Sequence, residues 1–330
     1  MIRFATVGTS KITEHFLEAA ALVPELEYDA SFSRDAAKAA GFAENHGAKR
    51  HFSDMLRLAQ DSSIDAVYIA TPNVFHARQS RLFLENGKHV LCEKPITCTP
   101  EEYAGLHALA AKNGLVYMEG MMSVNVPWHS EVSAALGEIG RPALARFDFC
   151  QRSSRYDAFC AGIPQNIFDM SLHAGTLMDL GVYCVYAAAD MFGAPRSVTA
   201  RASLFENGAD CAGAAIFDYG SFPAVLSYSK AGQSAADSEI IGDCGVLKIA
   251  SVSQYTGVTI VKNGESRVIV PKMPRREVMR GEAQRFCDMI LRKEQNAEYS
   301  ARLHSLAGTV QCCMAEIKRS AGLIYPEKRN

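Results

Sequence analysis

The residue types that point most directly to chemistry stand in Cys92-Glu93-Lys94-Pro95. Residues Lys88 to Cys92 read as a strand and follow Gly87, a helix stop. An open parallel sheet binds ligands just past the carboxyl ends of its strands, so a lysine fixed there faces a ligand rather than solvent. An ammonium beside another cation, or partly desolvated, has a lowered pKa and becomes a useful proton donor. Lys94 is therefore the first catalytic candidate. Asp179 and Tyr183 form the second group. They lie four residues apart in an apolar run and share one helix face, where two polar groups need a partner or a purpose. A phenol titrates near pH 10 in water, and a neighbouring cation such as Lys94 would make Tyr183 a better acid–base. The plainer readings are a surface lysine at a turn and a buried structural Asp–Tyr pair.

A nucleotide site is expected at the same sheet edge. Gly8-Thr9-Ser10-Lys11-Ile12 links the first strand to the first helix. Gly8 permits the tight turn, and the helix start offers N–H groups to a pyrophosphate. The glycine pattern is imperfect, because Ser10 and Thr13 occupy the later glycine positions. Ser33 and Arg34 at the second strand tip suit the 2′-phosphate of NADP. Asp35 would suit NAD if the tip fell one residue later. Thr71-Pro72-Asn73 ends the fourth strand. Pro72 turns the chain, and Asn73 is read as a helix cap that also presents groups to the cofactor. His76, one turn on, points to the same rim, although a lone histidine is more often a structural hydrogen-bonder. Glu93 either pairs with Lys94 or reaches a ribose hydroxyl.

These groups need a scaffold, and the first 120 residues supply one. Strands are expected at Ile2–Val7, Glu27–Ser33, Arg50–Phe52, Asp65–Ala70, Lys88–Cys92 and Leu115–Glu119, with helices after the first, second, fourth and fifth. Six strands with helical crossovers describe an α/β, doubly wound parallel sheet. After Gly120 the rhythm changes to period-two alternation, at Ala143–Gln151, Ser197–Phe205, Ala212–Tyr219, Ala224–Ser229 and onward, which marks antiparallel strands. Long helices flank them at Ala174–Met191, Arg276–Arg292 and Ala301–Ala321. The expected division is a dinucleotide-binding domain, 1–120, and a substrate-binding and oligomerisation domain, 121–330.

Composition excludes several classes. The chain has 48% hydrophobic and 21% charged residues and a net charge of −2, so it is globular, with no electrostatic case for nucleic acid or an anionic membrane. No apolar run reaches the roughly 18 residues of a membrane span. The apolar core of the N-terminal stretch is too short for a signal peptide. The ten cysteines include no CxxC pair and are read as free, mostly as small core residues, in a cytoplasmic protein. No metal is expected.

Together these residues resemble the glucose–fructose oxidoreductase / inositol dehydrogenase / rhizopine-catabolism (Gfo/Idh/MocA) family. The resemblance runs along essentially the whole chain and rests on Gly8-Thr9-Ser10, Thr71-Pro72-Asn73 with His76, Glu93-Lys94-Pro95, and Asp179 with Tyr183. Glu-Lys-Pro is its most specific element and the glycine turn its least. The resemblance implies a Rossmann domain followed by an α+β domain with a large, mainly antiparallel open sheet, which often builds a dimer or tetramer interface; a homodimer is expected. It also implies a catalytic Lys94 and a Glu93 near the cofactor. Many members carry Asp and His four apart where this chain has Asp179 and Tyr183. That is similar to the branch with dimeric dihydrodiol dehydrogenase and NADP-dependent D-xylose dehydrogenase, in which the tyrosine is the partner of the lysine. Ala174 departs from a glycine common at that position in the family.

The expected activity is hydride transfer between nicotinamide, as NADP or else NAD, and a sugar, polyol or dihydrodiol-like substrate. Tyr183 takes the hydroxyl proton, and Asp179 positions the substrate or holds Tyr183. Arg152, Arg155, Tyr156, Asn166 and Phe168 are expected to line the substrate side. Two other readings remain open: a cofactor-retaining glycosidase-type enzyme of the same family, and an NADP-binding sensor without chemistry.

Overall fold

Ile2–Val7 (β1) is apolar on both faces, and five of its six residues are buried, the mark of a central parallel strand. The strands Leu26–Phe32 (β2), Arg50–Phe52 (β3), Ala66–Ile69 (β4), His89–Glu93 (β5) and Tyr117–Gly120 (β6) join it in one parallel sheet, in the order β3-β2-β1-β4-β5-β6. The order reverses between β1 and β4, the switch point where such sheets take ligands. The crossovers are Lys11–Ala20 (α1), Ala36–His46 (α2), Met55–Gln60 (α3), Asn73–Glu85 (α4) and Pro100–Lys112 (α5), followed by the short Met122–Asn125 (α6). α1 turns Phe16, Leu17, Ala19 and Ala20 inward. Phe16 stacks on Tyr68 at 3.8 Å between ring centroids and meets Phe4 edge-on at 5.9 Å. Removing such a buried ring typically costs about 3–5 kcal/mol.

The computed structural model describes residues 1–326. They form two units: Met1–Asn125 with Pro274–Ser305, and Val126–Met273 with the chain from Leu306. In the second unit, His129–Glu138 (α7) precedes Pro142–Cys150 (β7) and the short helix Tyr156–Cys160 (α8). A π-helical turn, Leu177–Gly181, then leads into Val182–Phe192 (α9). The strands Ser197–Leu204 (β8), Asp210–Asp218 (β9), Pro223–Ser229 (β10), Ser238–Gly242 (β11), Val246–Ser251 (β12), Thr256–Lys262 (β13) and Glu265–Val270 (β14) complete an eight-stranded sheet, ordered β14-β13-β12-β11-β7-β10-β9-β8. Only β7 and β10 pair in parallel. Alternation buries one face, including Ala145, Phe147, Ala224, Leu226, Tyr228, Ile240 and Leu247. α9 packs against β7 and β10, and eight of its eleven residues are buried.

Two helices close the chain, Arg275–Leu291 (α10) and Ala297–Ala321 (α11). A boundary at residue 120 would leave α10 with the second unit. It belongs instead to the first, where Val278, Met279, Ala283 and Phe286 are buried and the helix packs against α1 and α6. Strand ends differ from the sequence expectation by one or two residues, within the ordinary spread of element boundaries. All ten cysteines are free. Five are buried, whereas Cys160, Cys244 and Cys312 are exposed, so the core reading holds for only half of them. No helix among the described residues is long and apolar enough to cross a membrane.

Candidate active site

In the first unit the candidate residues gather at the carboxyl edge of the sheet. Gly8 follows β1 with φ +111°, and a Cβ there would lie 2.5 Å from the Ala70 carbonyl oxygen. The turn can therefore pass β4 only without a side chain. Thr9 and Ser10 carry the chain into α1. No side chain caps that helix; Ser10 Oγ lies instead 3.3 Å from Thr13 Oγ1. An uncapped N-terminus beside a glycine turn suits a pyrophosphate, so the residues present fit a dinucleotide. Ile12, in the first turn of α1, is half-buried. At the tip of β2, the Asp35 carboxylate accepts from Lys38 N at 3.1 Å and caps α2. Ser33 and the exposed Arg34 remain at the tip.

Past β4, Thr71 Oγ1 donates to Gln79 at 2.6 Å. Pro72 is the residue before α4, and Asn73 is its first helical residue rather than its cap; proline's fixed φ starts the helix without one. His76 is buried. Its ring nitrogens lie 2.7 Å from the Thr71 carbonyl and 2.9 Å from that of Pro95, so it ties the ends of two strands together.

Lys94 directly follows β5, and its peptide bond to Pro95 is cis. Glu93 is buried: its carboxylate accepts the Tyr68 hydroxyl and, at 3.3 Å, the Lys94 N–H. Glu119 accepts the Ile96 N–H at 3.0 Å. The fully buried Glu282 of α10 adds a third carboxyl. Burial first, then the charges of Glu93 and Glu119, push the Glu282 carboxyl well above the usual carboxylate range.

In the second unit, Asp179 lies in the π-helical turn and Tyr183 at the start of α9. Such turns are rare and frequently sit at functional sites. The turn is held by Asp210, whose buried carboxylate accepts from Thr176 N at 2.9 Å and Leu177 N at 2.7 Å. Gly175 lets that carboxylate approach: its φ is +137°, and a Cβ would fall 2.2 Å from Asp210 Oδ1. Burial raises the Asp210 carboxyl to about 6, against the pull of the two N–H groups and of Lys230. Tyr183 is buried and meets Phe149 edge-on at 5.6 Å. Asp179 accepts an ion-pair hydrogen bond from Lys230 Nζ.

Of the expected substrate residues, Arg152, Tyr156 and Phe168 gather around one aromatic cluster. Arg152 pairs with Asp157 at 2.5 Å and lies over the Tyr156 ring. Arg155 precedes α8, and both it and Asn166 are exposed. Phe168 is fully buried in a cluster with Phe159 and Phe205, where its ring contributes to an apolar core. Sequence reasoning missed Asp210, Glu282 and Lys230. For Lys230 a signal existed. Ala224, Leu226 and Tyr228 face inward with period two, and Lys230 is next in that series.

Comparison with known proteins agrees with the fold. The description "Oxidoreductase family, NAD-binding Rossmann fold" matches residues 2–121, and the GFO/IDH/MocA C-terminal domain matches residues 134–248. A scyllo-inositol 2-dehydrogenase (NADP(+)) of Bacillus subtilis is 39% identical over 327 residues, covering 99% of each chain. A trans-1,2-dihydrobenzene-1,2-diol dehydrogenase of Xenopus tropicalis is 29% identical, covering 80% of each. Among solved structures, a 3-ketoreductase from Actinomadura kijaniata in complex with TDP-benzene and NADP superposes with a TM-score of 0.80 at 25% identity, over 97% of this chain and 98% of that one. The chain belongs to the Gfo/Idh/MocA family of oxidoreductases.

Proposed function

We propose that the protein is an NADP-dependent dehydrogenase or reductase acting on a hydroxyl or carbonyl of a polyol or sugar. The observation that carries this reading is Lys94, held directly past the carboxyl end of β5 in a sheet ordered like a dinucleotide-binding domain. The names of the 39% identical inositol dehydrogenase and the dihydrodiol dehydrogenase support the substrate class. Asp35, spent on capping α2, leaves Ser33 and Arg34 for a 2′-phosphate and supports NADP over NAD. The α1 N-terminus with Gly8, Thr9, Ser10 and Ile12, together with the Thr71–Asn73 turn, would hold the dinucleotide. Bound NADP supplies the hydride acceptor. Tyr183 takes the proton of the substrate hydroxyl, Lys94 supplies the positive charge that favours its phenolate, and Asp179 accepts a hydrogen bond from substrate. The exposed face of the second sheet, with Ile216 at 51% and Val268 at 63% exposure, supports the expectation of a homodimer through that sheet.

The test is NADPH formation with scyllo-inositol and a panel of polyols and aldoses. Lys94→Ala and Tyr183→Phe should each lower kcat by roughly 10²–10⁴-fold, the usual worth of a positioned acid–base group, while fluorescence titration shows NADPH still bound. Full rates in both variants would refute the assignment.

A further inference from the structure

Lys230 is a buried lysine, its side chain 7% exposed, that donates to an Asp179 side chain 43% exposed. Burying an ammonium costs several kcal/mol unless a partner compensates. Its backbone is fixed on both sides: Lys230 N–H donates to the Cys211 carbonyl at 2.9 Å, and its carbonyl accepts the Ser153 N–H at 2.9 Å. The ammonium therefore stands on a rigid strand end rather than a mobile loop. The π-helical turn does not depend on it, since Asp210 already anchors Thr176 and Leu177. What Lys230 adds is a fixed cation behind the one carboxylate of this turn that reaches solvent.

Resting on the proposed dehydrogenase reading, we propose that Lys230 is a positioning residue that fixes Asp179 as an oriented, ionised acceptor for a substrate hydroxyl. A carboxylate paired with a buried ammonium is a weak proton acceptor. This leaves proton transfer to Tyr183 and gives Asp179 the task of binding a hydroxyl other than the one oxidised. It also favours neutral polyols over acids at that position, because the carboxylate repels an anion.

The test is a double-mutant cycle of Lys230→Met and Asp179→Asn in the full chain, with scyllo-inositol as substrate. Each single change should lower kcat/KM roughly 30-fold or more, the cost of breaking a buried charge pair. Most of that loss should come from a higher KM for the polyol, with KM for NADP held. Combined, the two changes should lose no more than about threefold beyond the worse single variant, since coupled residues are non-additive. Losses that multiply, or an unchanged polyol KM in a folded Lys230→Met protein, would overturn the proposal. The same cycle on urea midpoints reads the pair without catalysis: shifts smaller together than summed support it, and additive shifts refute it. Should the unmodified protein oxidise no polyol, the dehydrogenase reading fails, and the urea cycle still decides whether Lys230 holds Asp179.

Discussion

On the proposed reading a single residue, Arg34, would decide between the two nicotinamide cofactors. Asp35 would compete for a ribose hydroxyl, but its carboxylate accepts the Lys38 N–H and starts α2. A charge-assisted hydrogen bond is worth about 1.5–3 kcal/mol. Arg34→Ala should therefore weaken NADPH binding by about 10- to 150-fold and leave NADH binding nearly unchanged, as read by fluorescence titration with both cofactors. Equal losses for the two would remove Arg34 from the site. At this scale the sequence was most readable where chain position alone identifies a residue, as at Gly8 and Lys94, whose places beside strand ends follow from counting. It was least readable where partners come from afar. Lys230 lies 51 positions from Asp179, and Asp210 34 from Thr176, and local pattern carries no record of such pairings.

At the level of elements, the π-helical turn and its anchor Asp210 are the least ordinary part of the second unit. Reading Ala174–Met191 as one regular helix placed Asp179 and Tyr183 on one continuous helical stretch, as the π-helical turn and α9 together are. It missed the altered winding, which is imposed by a carboxylate on a distant strand and by the left-handed Gly175. That carboxylate makes a prediction. Its folded pKa is raised to about 6, from an unfolded value of 3.8. Between those values the unfolded chain has released the proton and the folded chain keeps it. Stability from this group is thus full below about pH 4 and is lost as pH rises through about 6. Asp210→Asn cannot titrate, so its stability relative to the unmodified protein should improve across that window, by at most about 3 kcal/mol. Urea unfolding at several pH values measures it, and a difference that stays flat from pH 4 to 7 would contradict the raised value. The strands were legible for the opposite reason: parallel strands announce themselves as short apolar runs and the second sheet as alternation, both purely local. The helices α3 and α7 went unseen because each follows a turn with no strong apolar stripe.

For the whole molecule, the return of α10 and the start of α11 to the first unit matters most. Contact between α10 and α1 joins residues more than two hundred positions apart, beyond the reach of any periodicity. A piece ending at Asn125 should expose the α1 face that α10 covers. Expressed alone it should be aggregation-prone and unfold over a broad transition, whereas the same piece fused by a flexible linker to residues 274–305 should unfold cooperatively by circular dichroism. Equal behaviour of the two would show that the first unit does not need the returning helix.

The same discontinuity sets a schedule for biosynthesis. A ribosome adding roughly 5–20 residues per second needs on the order of ten to forty seconds to travel from Asn125 to Ser305. Throughout that interval the nascent nucleotide-binding half lacks one of its walls, making it a natural client for chaperones and leaving prematurely terminated products vulnerable to proteolysis.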